Sequence, residues 1–322
     1  MKNKKNLIEL TILIPCLNED ETLGICLKKI KKNLKELNIK SEVLVADNGS
    51  TDNSLIIAKK YGAKIINVKT RGYGAALKKG IKKSSGKYIL FADADDSYDF
   101  NQIKKFYKKI TSGYDLVQGC RFPRYGGKIK KGAMPFSHQY IGNPFLSFLA
   151  KIFYKLPLND IYCGMRIFKS SICKNTNFIS DGMVFAIEHL IKINYLTKNI
   201  CEIPITLHKD GRKNKVSHLR TFSDGFDSLK FLLIFLPKII FFIPAFIMSL
   251  IAIIILSEFF LINFFMGAIV KMEVFVSILL MLLTYQMIMF GISTRFIAIE
   301  VGLENNNNKM HKFLSLKNAI II

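Results

Sequence analysis

Residues 87–100 read Lys-Tyr-Ile-Leu-Phe-Ala-Asp-Ala-Asp-Asp-Ser-Tyr-Asp-Phe, an apolar run that ends directly in Asp93, Asp95 and Asp96. The run is short, aromatic and β-prone, as expected of a strand covered on both faces. Two carboxylates about 4 Å apart repel by roughly 4 kcal/mol at an effective dielectric of about 20, so such a cluster needs a counter-charge. A divalent cation supplies one. Carboxylate oxygens suit Mg²⁺ or Mn²⁺, and both ions commonly share their remaining positions with substrate phosphates. Asp95 and Asp93 are therefore the candidate metal ligands. Asp96, Ser97 or Asp99 could also cap a helix starting near Asn101, but capping needs one acid and leaves Asp93 and Asp95 unexplained.

The elements that must position these acids are legible upstream. Residues 10–15 form an apolar strand; after Asn18-Glu19-Asp20 comes a helix with Leu23, Leu27, Ile30, Leu34 and Leu37 on one face. Residues 43–46 form a second strand, stopped by Asp47-Asn48-Gly49-Ser50, and residues 54–61 return to helix. Residues 63–68 form a third, followed by Arg71-Gly72-Tyr73-Gly74 and a helix to about Ser84. Alternation with short connections predicts right-handed βαβ units and a mainly parallel, Rossmann-like α/β sheet. The polar stretches at Asn18, Asp47, Arg71 and Asp93 all follow strands and should meet at one sheet edge, where open α/β sheets bind ligands. Gly72-Tyr-Gly74 lacks the third glycine of a dinucleotide fingerprint; its glycines are read as allowing a tight turn and close helix–sheet packing.

The chain has 322 residues, half of them hydrophobic, and a mean hydropathy of +0.25 that implies contact with lipid. The net charge of +23 does not point to nucleic acid, because no basic stretch carries a nucleic-acid-binding motif. Anionic headgroups and a phosphorylated substrate suit it better, and a lysine-rich genome bias accounts for part of it. The six cysteines form no CxxC pair and no zinc spacing, which fits free thiols in a reducing compartment.

Pro15-x-x-Asn18-Glu19, Asp47-Asn-Gly-Ser-x-Asp52, Arg71-Gly-x-Gly-x-Ala76 and Asp93-Ala94-Asp95 together resemble the family-2 glycosyltransferases of GT-A fold. Gly142-Asn-Pro-x-Leu-Ser147, Asp160-x-x-Cys-Gly-x-Arg166 and Asp210-Gly-Arg212 with His218-Leu-Arg220 are similar to the branch of dolichol-phosphate glucose and mannose synthases. The resemblance implies inverting, metal-dependent transfer of a sugar from a nucleotide donor, UDP favoured over GDP, to a polyprenyl phosphate. The Gln-x-x-Arg-Trp motif of processive polysaccharide synthases is absent, and the chain has no tryptophan, which argues against polymer synthesis.

By the same resemblance Pro15, Asn18, Glu19, Asp47, Asn48, Asp93 and Ala94 border the donor, Asp47 accepting a nucleobase N–H, although Asp-Asn-Gly-Ser is also a strong turn sequence. Asp95, Arg71 and Asp160 are the catalytic candidates, with Arg121 a further cation near the diphosphate. Asp160 is expected to orient or stabilise near the anomeric carbon, with a loop acid paired to Arg166 as the competing reading. Arg212, Lys215, His218 and Arg220 are the candidate acceptor-phosphate ligands. Glu188 and His189, within a helix over residues 183–194, read either as a satisfied, partly buried pair or as a catalytic one.

Residues 239–261 and 274–294 are long enough, at about 1.5 Å per residue, to cross a hydrocarbon core of roughly 30 Å. The expected organisation is a catalytic domain over 1–228, a membrane region over 229–300 and a tail over 301–322, in which Ala319–Ile322 reads as the start of a third span, as if the chain were a shortened form. Lys238, Arg295 and the tail lysines put domain and tail in the cytoplasm of a multi-pass protein of the cell membrane. Residues 145–158 and 222–236 read as interfacial helices or as core packing. A homo-oligomer through the membrane helices is compatible with this plan. Competing functions are transfer to a lipid hydroxyl, which requires a general base, and a non-catalytic nucleotide-sugar-binding scaffold.

Overall fold

The computed structural model describes residues 7–213, 221–234, 236, 238–266 and 271–303. The chain divides into two compact units, Met1–Ser228 and Leu229–Ile322. In chain order the first unit contains β1 (Leu10–Cys16), α1 (Leu23–Leu37), β2 (Ser41–Asp47), α2 (Ser54–Lys60), β3 (Lys64–Asn67), α3 (Tyr73–Lys83), β4 (Tyr88–Phe91) and α4 (Ile103–Thr111). There follow β5 (Leu116–Cys120), β6 (Lys128–Ile129), α5 (Asn143–Tyr154), β7 (Arg166–Lys169), α6 (Ser170–Lys174), α7 (Phe185–Leu196), β8 (Ile200–Pro204) and β9 (Thr206–Leu207). The helix α8 (Thr221–Ile234) crosses the boundary between the units.

The main sheet has seven strands in the order β3-β2-β1-β4-β7-β5-β8. β1 is parallel to β2 and β4, and β2 to β3. β7 is antiparallel to both β4 and β5, while β5 and β8 are parallel. The mainly parallel α/β sheet expected from the sequence is therefore present, with one reversed strand inside it. Because β7 is reversed between two strands that run the same way, β5 and β8 end on the same edge as β1, β2 and β4, and β7 begins there. The residues just after β5, just before β7 and after β8 are thereby added to the edge that the first strands define.

Sequence pattern accounts for the elements. In α1 the stripe Leu23, Cys26, Leu27, Ile30 and Leu34 is buried, and Asn38 closes the helix in the left-handed region at φ 50°. All of β4 is buried, as its unbroken apolar run requires, and Leu10, Ile12, Leu90 and Ile167 join one core. A side chain such as Leu or Ile gains about 1.5–3 kcal/mol when fully buried, so the strand centres hold the edge loops on a rigid base. The glycine that brings α3 onto the sheet is Gly80: a Cβ there would lie 2.3 Å from Leu13 Cδ1. Gly72 and Gly74, expected to serve that packing, instead face the chain at 180–182, where Cβ atoms would meet Asp181 O at 2.2 Å and Ser180 O at 2.5 Å.

The second unit holds a π-helical turn, Lys238–Phe242, then α9 (Ile243–Met266) and α10 (Lys271–Glu300). Two stretches, Ile239–Leu261 and Met272–Glu300, are long and apolar enough to cross a membrane, with mean hydropathies of 3.1 and 2.1. α9 and α10 pack on each other, and Gly291 admits the Phe242 ring where a Cβ would lie 2.8 Å from it. The tail expected to begin a third span falls outside the described residues from 304 onward.

Candidate active site

The loop after β1 is built around Asn18, which adopts φ 56° and accepts through Oδ1 from Thr51 N at 2.8 Å. Glu19 is buried; its main-chain N–H donates to Ser54 Oγ (2.8 Å), its Oε2 accepts from Thr22 Oγ1 (3.1 Å), and its Oε1 lies 3.3 Å from Arg212 Nη1. Burial, with Asp95 adding to it, pushes the Glu19 carboxyl up to about 7 despite Arg212. Asp47 forms the turn its sequence announced, accepting from Gly49 N (3.2 Å) and Ser50 N (3.0 Å). Asn48 ties this loop to the next by donating to Thr70 O (2.7 Å) and accepting from Gly72 N (2.7 Å). Arg71 is exposed and lies over the same turn, its Cζ 3.7 Å from where a Gly49 Cβ would be. Pro15 is in β1, and Ala94 is buried with its carbonyl facing Cys26 Sγ at 3.3 Å.

Asp93 and Asp95 follow β4, half-buried. Asp93 Oδ1 accepts from the Tyr73 hydroxyl at 3.0 Å; Asp95 Oδ1 accepts from Ser97 N (3.0 Å) and Ser97 Oγ (2.6 Å). Among the described residues, Oδ2 of each acid receives no hydrogen bond. Burial and the neighbouring Asp95 push Asp93 up to about 7, and burial with Asp210 raises Asp95. Gly164 sits against Asp93: a Cβ there would lie 2.6 Å from Oδ2. Among the three cap candidates, Asp96 is not the one used. It takes φ 59° and pairs with Lys29 at 2.7 Å, while Asp99 accepts from Asn101 N at 3.0 Å and starts the following helical turn.

The edge residues after β5 and before β7 form a buried ion pair that sequence reading did not find. Asp160 is fully buried; Arg121 Nε donates to its Oδ2 and Arg121 Nη2 to its Oδ1, both at 2.7 Å, and Arg121 N reaches Oδ2 at 3.0 Å. Glu202 of β8 holds the Asp160 turn by accepting from Asn159 N (2.7 Å) and Asp160 N (2.9 Å). The Tyr98 hydroxyl accepts from Gly164 N at 2.7 Å and lies 3.5 Å from Arg121 Nη1. Arg166, considered as a partner for Asp160, instead donates to Cys163 O and Ala186 O and stacks over Phe91 at 5.1 Å. The physical reason is register: Arg166 pairs with Phe91 across β4 and β7, which turns it away from the Asp160 side.

After β9 the chain returns to the acids, with His208 N donating to Ser97 O and Gly211 N to Asp95 O. Arg212 does not present a vacant fork. Its Nη2 donates to Asp210 Oδ2 at 2.6 Å, and Nη1 faces Glu19. The other acceptor candidates, Lys215, His218 and Arg220, lie outside the described residues. Glu188 and His189 do not pair with each other: Glu188 bonds Lys192 at 2.7 Å, and His189 stacks on Phe178 among other rings.

The model of "Glycosyl transferase family 2" matches residues 11–176, just over half of the chain, including the strand ends that carry Asp47, Asp93 and Asp95. The chain belongs to glycosyl transferase family 2. Among its family-2 relatives is the low-salt glycan biosynthesis hexosyltransferase Agl6 of Haloferax volcanii, 34% identical over 246 residues. That alignment covers 76% of this chain and 58% of the relative, so the chain spans less than two thirds of that relative's length. The dolichyl-phosphate hexose transferase of the same organism is 28% identical over 65% of this chain and 86% of its own. Among solved structures, glucosyl-3-phosphoglycerate synthase from Mycobacterium tuberculosis, in complex with Mn²⁺, UDP and phosphoglyceric acid, superposes with a TM-score of 0.56 at 19% identity. It covers 70% of this chain and 78% of its own, which shows a shared GT-A fold.

Proposed function

We propose that this family-2 protein transfers a sugar from a nucleotide-sugar donor, a UDP-sugar favoured, to the phosphate of a polyprenyl phosphate with inversion at the anomeric carbon. The observation that carries the reading is the pair Asp93 and Asp95 at the end of β4, each with one carboxylate oxygen oriented by the protein and one that receives no donor among the described residues. Burial raises the proton affinity of both acids, Asp95 adding to it at Asp93 and Asp210 at Asp95, and a bound cation would offset that cost.

These residues fit Mg²⁺ or Mn²⁺. Among the described residues no three His, Cys, Asp or Glu side chains gather into a metal cage, and an open site of two carboxylates is what a cation shared with a diphosphate requires. When bound, the ion would act as a Lewis acid toward the leaving nucleoside diphosphate. Arg71 and Arg121 add positive charge at the same edge, Asp47 and Asn48 shape the nucleobase side, and Asn18 and Glu19 the ribose side. Asp160 acts through Arg121: both its oxygens are held by that side chain and its main-chain N–H, so it serves to orient the guanidinium. A phosphate acceptor has a second pKa of about 6 and reaches the site already ionised, so no base is needed. A lipid hydroxyl would need one.

The relatives' names, one of them a dolichyl-phosphate hexose transferase, support a lipid-linked phosphate. So do the two candidate spans, with which we read the protein as membrane-bound, multi-pass and catalytic on the cytoplasmic side. In the first unit, Leu146, Ala150 and Tyr154 of α5 are buried, whereas Phe136, Tyr140, Ile141, Phe145, Phe148 and Ile152 are exposed along one helical stripe. Lys128, Lys130, Lys131, Lys151 and Lys155 flank it, exposed. An apolar stripe bordered by lysines suits the surface of an anionic bilayer, where the acceptor headgroup resides.

The test is transfer from radiolabelled nucleotide sugars by the purified full chain, with undecaprenyl phosphate compared with undecaprenol. Product with the phosphate alone is expected. Product with undecaprenol would favour the glycolipid reading, and none with any donor the scaffold reading.

A further inference from the structure

The helix α7 carries an ion pair that the proposed chemistry leaves unused. Glu188 and Lys192, one turn apart, are fully buried and bonded at 2.7 Å. Each also grips one piece of chain. Glu188 accepts from Ile179 N through Oε1 and from Ser180 N through Oε2, both at 2.8 Å, and Lys192 Nζ donates to Asn177 O at 2.5 Å. A charged pair in an apolar helix costs desolvation, so one that satisfies three main-chain groups of a single loop is placed to fix that loop.

The loop so held lies on the start of α3. Asp181 O accepts from Ala75 N at 3.0 Å, Lys78 Nζ bonds Asp181 at 2.7 Å and Ile179 O at 3.3 Å, and the contacts at Gly72 and Gly74 leave no room for a Cβ. Tyr73, between those glycines, donates to Asp93 Oδ1. A chain of direct contacts thus runs from Glu188 and Lys192 through residues 177–182 to Tyr73 and ends on an acid of the β4 edge.

We propose that Glu188 and Lys192 are positioning residues: they clamp the 177–182 loop so that Tyr73 orients the Asp93 carboxylate toward a divalent cation. The assignment rests on the reading of Asp93 and Asp95 as the cation site. A hydrogen bond to a metal-ligating carboxylate fixes which oxygen faces the ion, and loss of such a partner commonly costs about 10- to 100-fold in metal affinity.

The experiment is calorimetric titration of Mn²⁺ into the full-length protein in detergent with UDP present, for the wild type, Glu188→Gln, Tyr73→Phe and the double variant. Glu188→Gln should weaken Mn²⁺ binding by about 10-fold or more, Tyr73→Phe by a similar factor, and the double variant no further than either. Acceptor KM should be unchanged in all of them. Should Glu188→Gln not fold, Gly74→Ala probes the same contact without touching the buried pair: its Cβ would meet Ser180 O at 2.5 Å, so it should also weaken Mn²⁺. Wild-type Mn²⁺ affinity in a folded Glu188→Gln or in Gly74→Ala, or losses that multiply in the double variant, would overturn the clamp. If the wild type itself binds no Mn²⁺ with UDP, the cation-site reading fails, and the clamp with it.

Discussion

Replacing Asp160 by Asn separates a structural carboxylate from a chemical one. In the wild type both oxygens are donors' targets: Arg121 Nε and main-chain N on Oδ2, Arg121 Nη2 on Oδ1. Asn turns one of those oxygens into an NH₂ that faces a guanidinium or an amide N–H, and it leaves the charge of Arg121, only 6% exposed, without a counter-ion. Breaking a buried pair this way typically costs about 3–5 kcal/mol. For a domain of this size each kcal/mol moves Tm by about 2–4 °C, so the expected fall is roughly 6–20 °C. Thermal unfolding of the full chain in detergent measures it, and transfer activity is assayed well below the lowered Tm. The double variant Arg121→Met/Asp160→Leu should regain most of the stability and none of the activity, because Arg121 is what the pair delivers to the site. Asp160→Asn with wild-type stability and no activity would refute this and return Asp160 to the chemistry itself.

Glu19, pushed up to about 7 by burial, favours the folded state when protonated: its contribution is complete below about 4.5 and is lost as pH rises through 7. The Tm of the wild type relative to Glu19→Gln should therefore fall between pH 4.5 and pH 8; a pH-independent difference would show that Glu19 is solvated. Arg212→Lys keeps the charge but not the planar fork, which is already engaged by Asp210 and faces Glu19 on the donor side, so it should weaken UDP binding while acceptor KM holds. Unchanged UDP affinity with a raised acceptor KM would move Arg212 to the acceptor side. Reporters fused at the N-terminus and after Lys317 should both report the cytoplasm; opposite sides would require an odd number of spans.

The strands up to β4 were legible because each is an apolar run halted by Asp, Asn or Gly, and parallel βαβ logic alone predicts that their ends meet. The second half of the site was not, for reasons of topology. β7, with the sequence Arg-Ile-Phe-Lys, carries no sign of its direction, yet its reversal is what brings Gly164 against Asp93 and Asp160 to the same edge of the sheet. Arg121 and Asp160 are 39 positions apart and meet only through strand register, so no local pattern announces them. Local rules left Asp96, Ser97 and Asp99 open as caps and could not choose among them; Asp99 takes the role, while the left-handed backbone at Asp96 directs its side chain to Lys29. Glu188 and Lys192 did carry a signal, an i,i+4 acid–base pair inside an otherwise apolar helix, which the neighbouring His189 obscured.

The most direct test of the central claim is a UDP titration of the full-length protein with and without Mn²⁺, for the wild type, Asp95→Asn and Asp96→Asn. Mn²⁺ should tighten UDP binding in the wild type and in Asp96→Asn, whose left-handed position tolerates Asn, and should have no effect in Asp95→Asn. UDP affinity that ignores Mn²⁺ in the wild type, or that responds to it equally in Asp95→Asn, would contradict the assignment of the β4 acids.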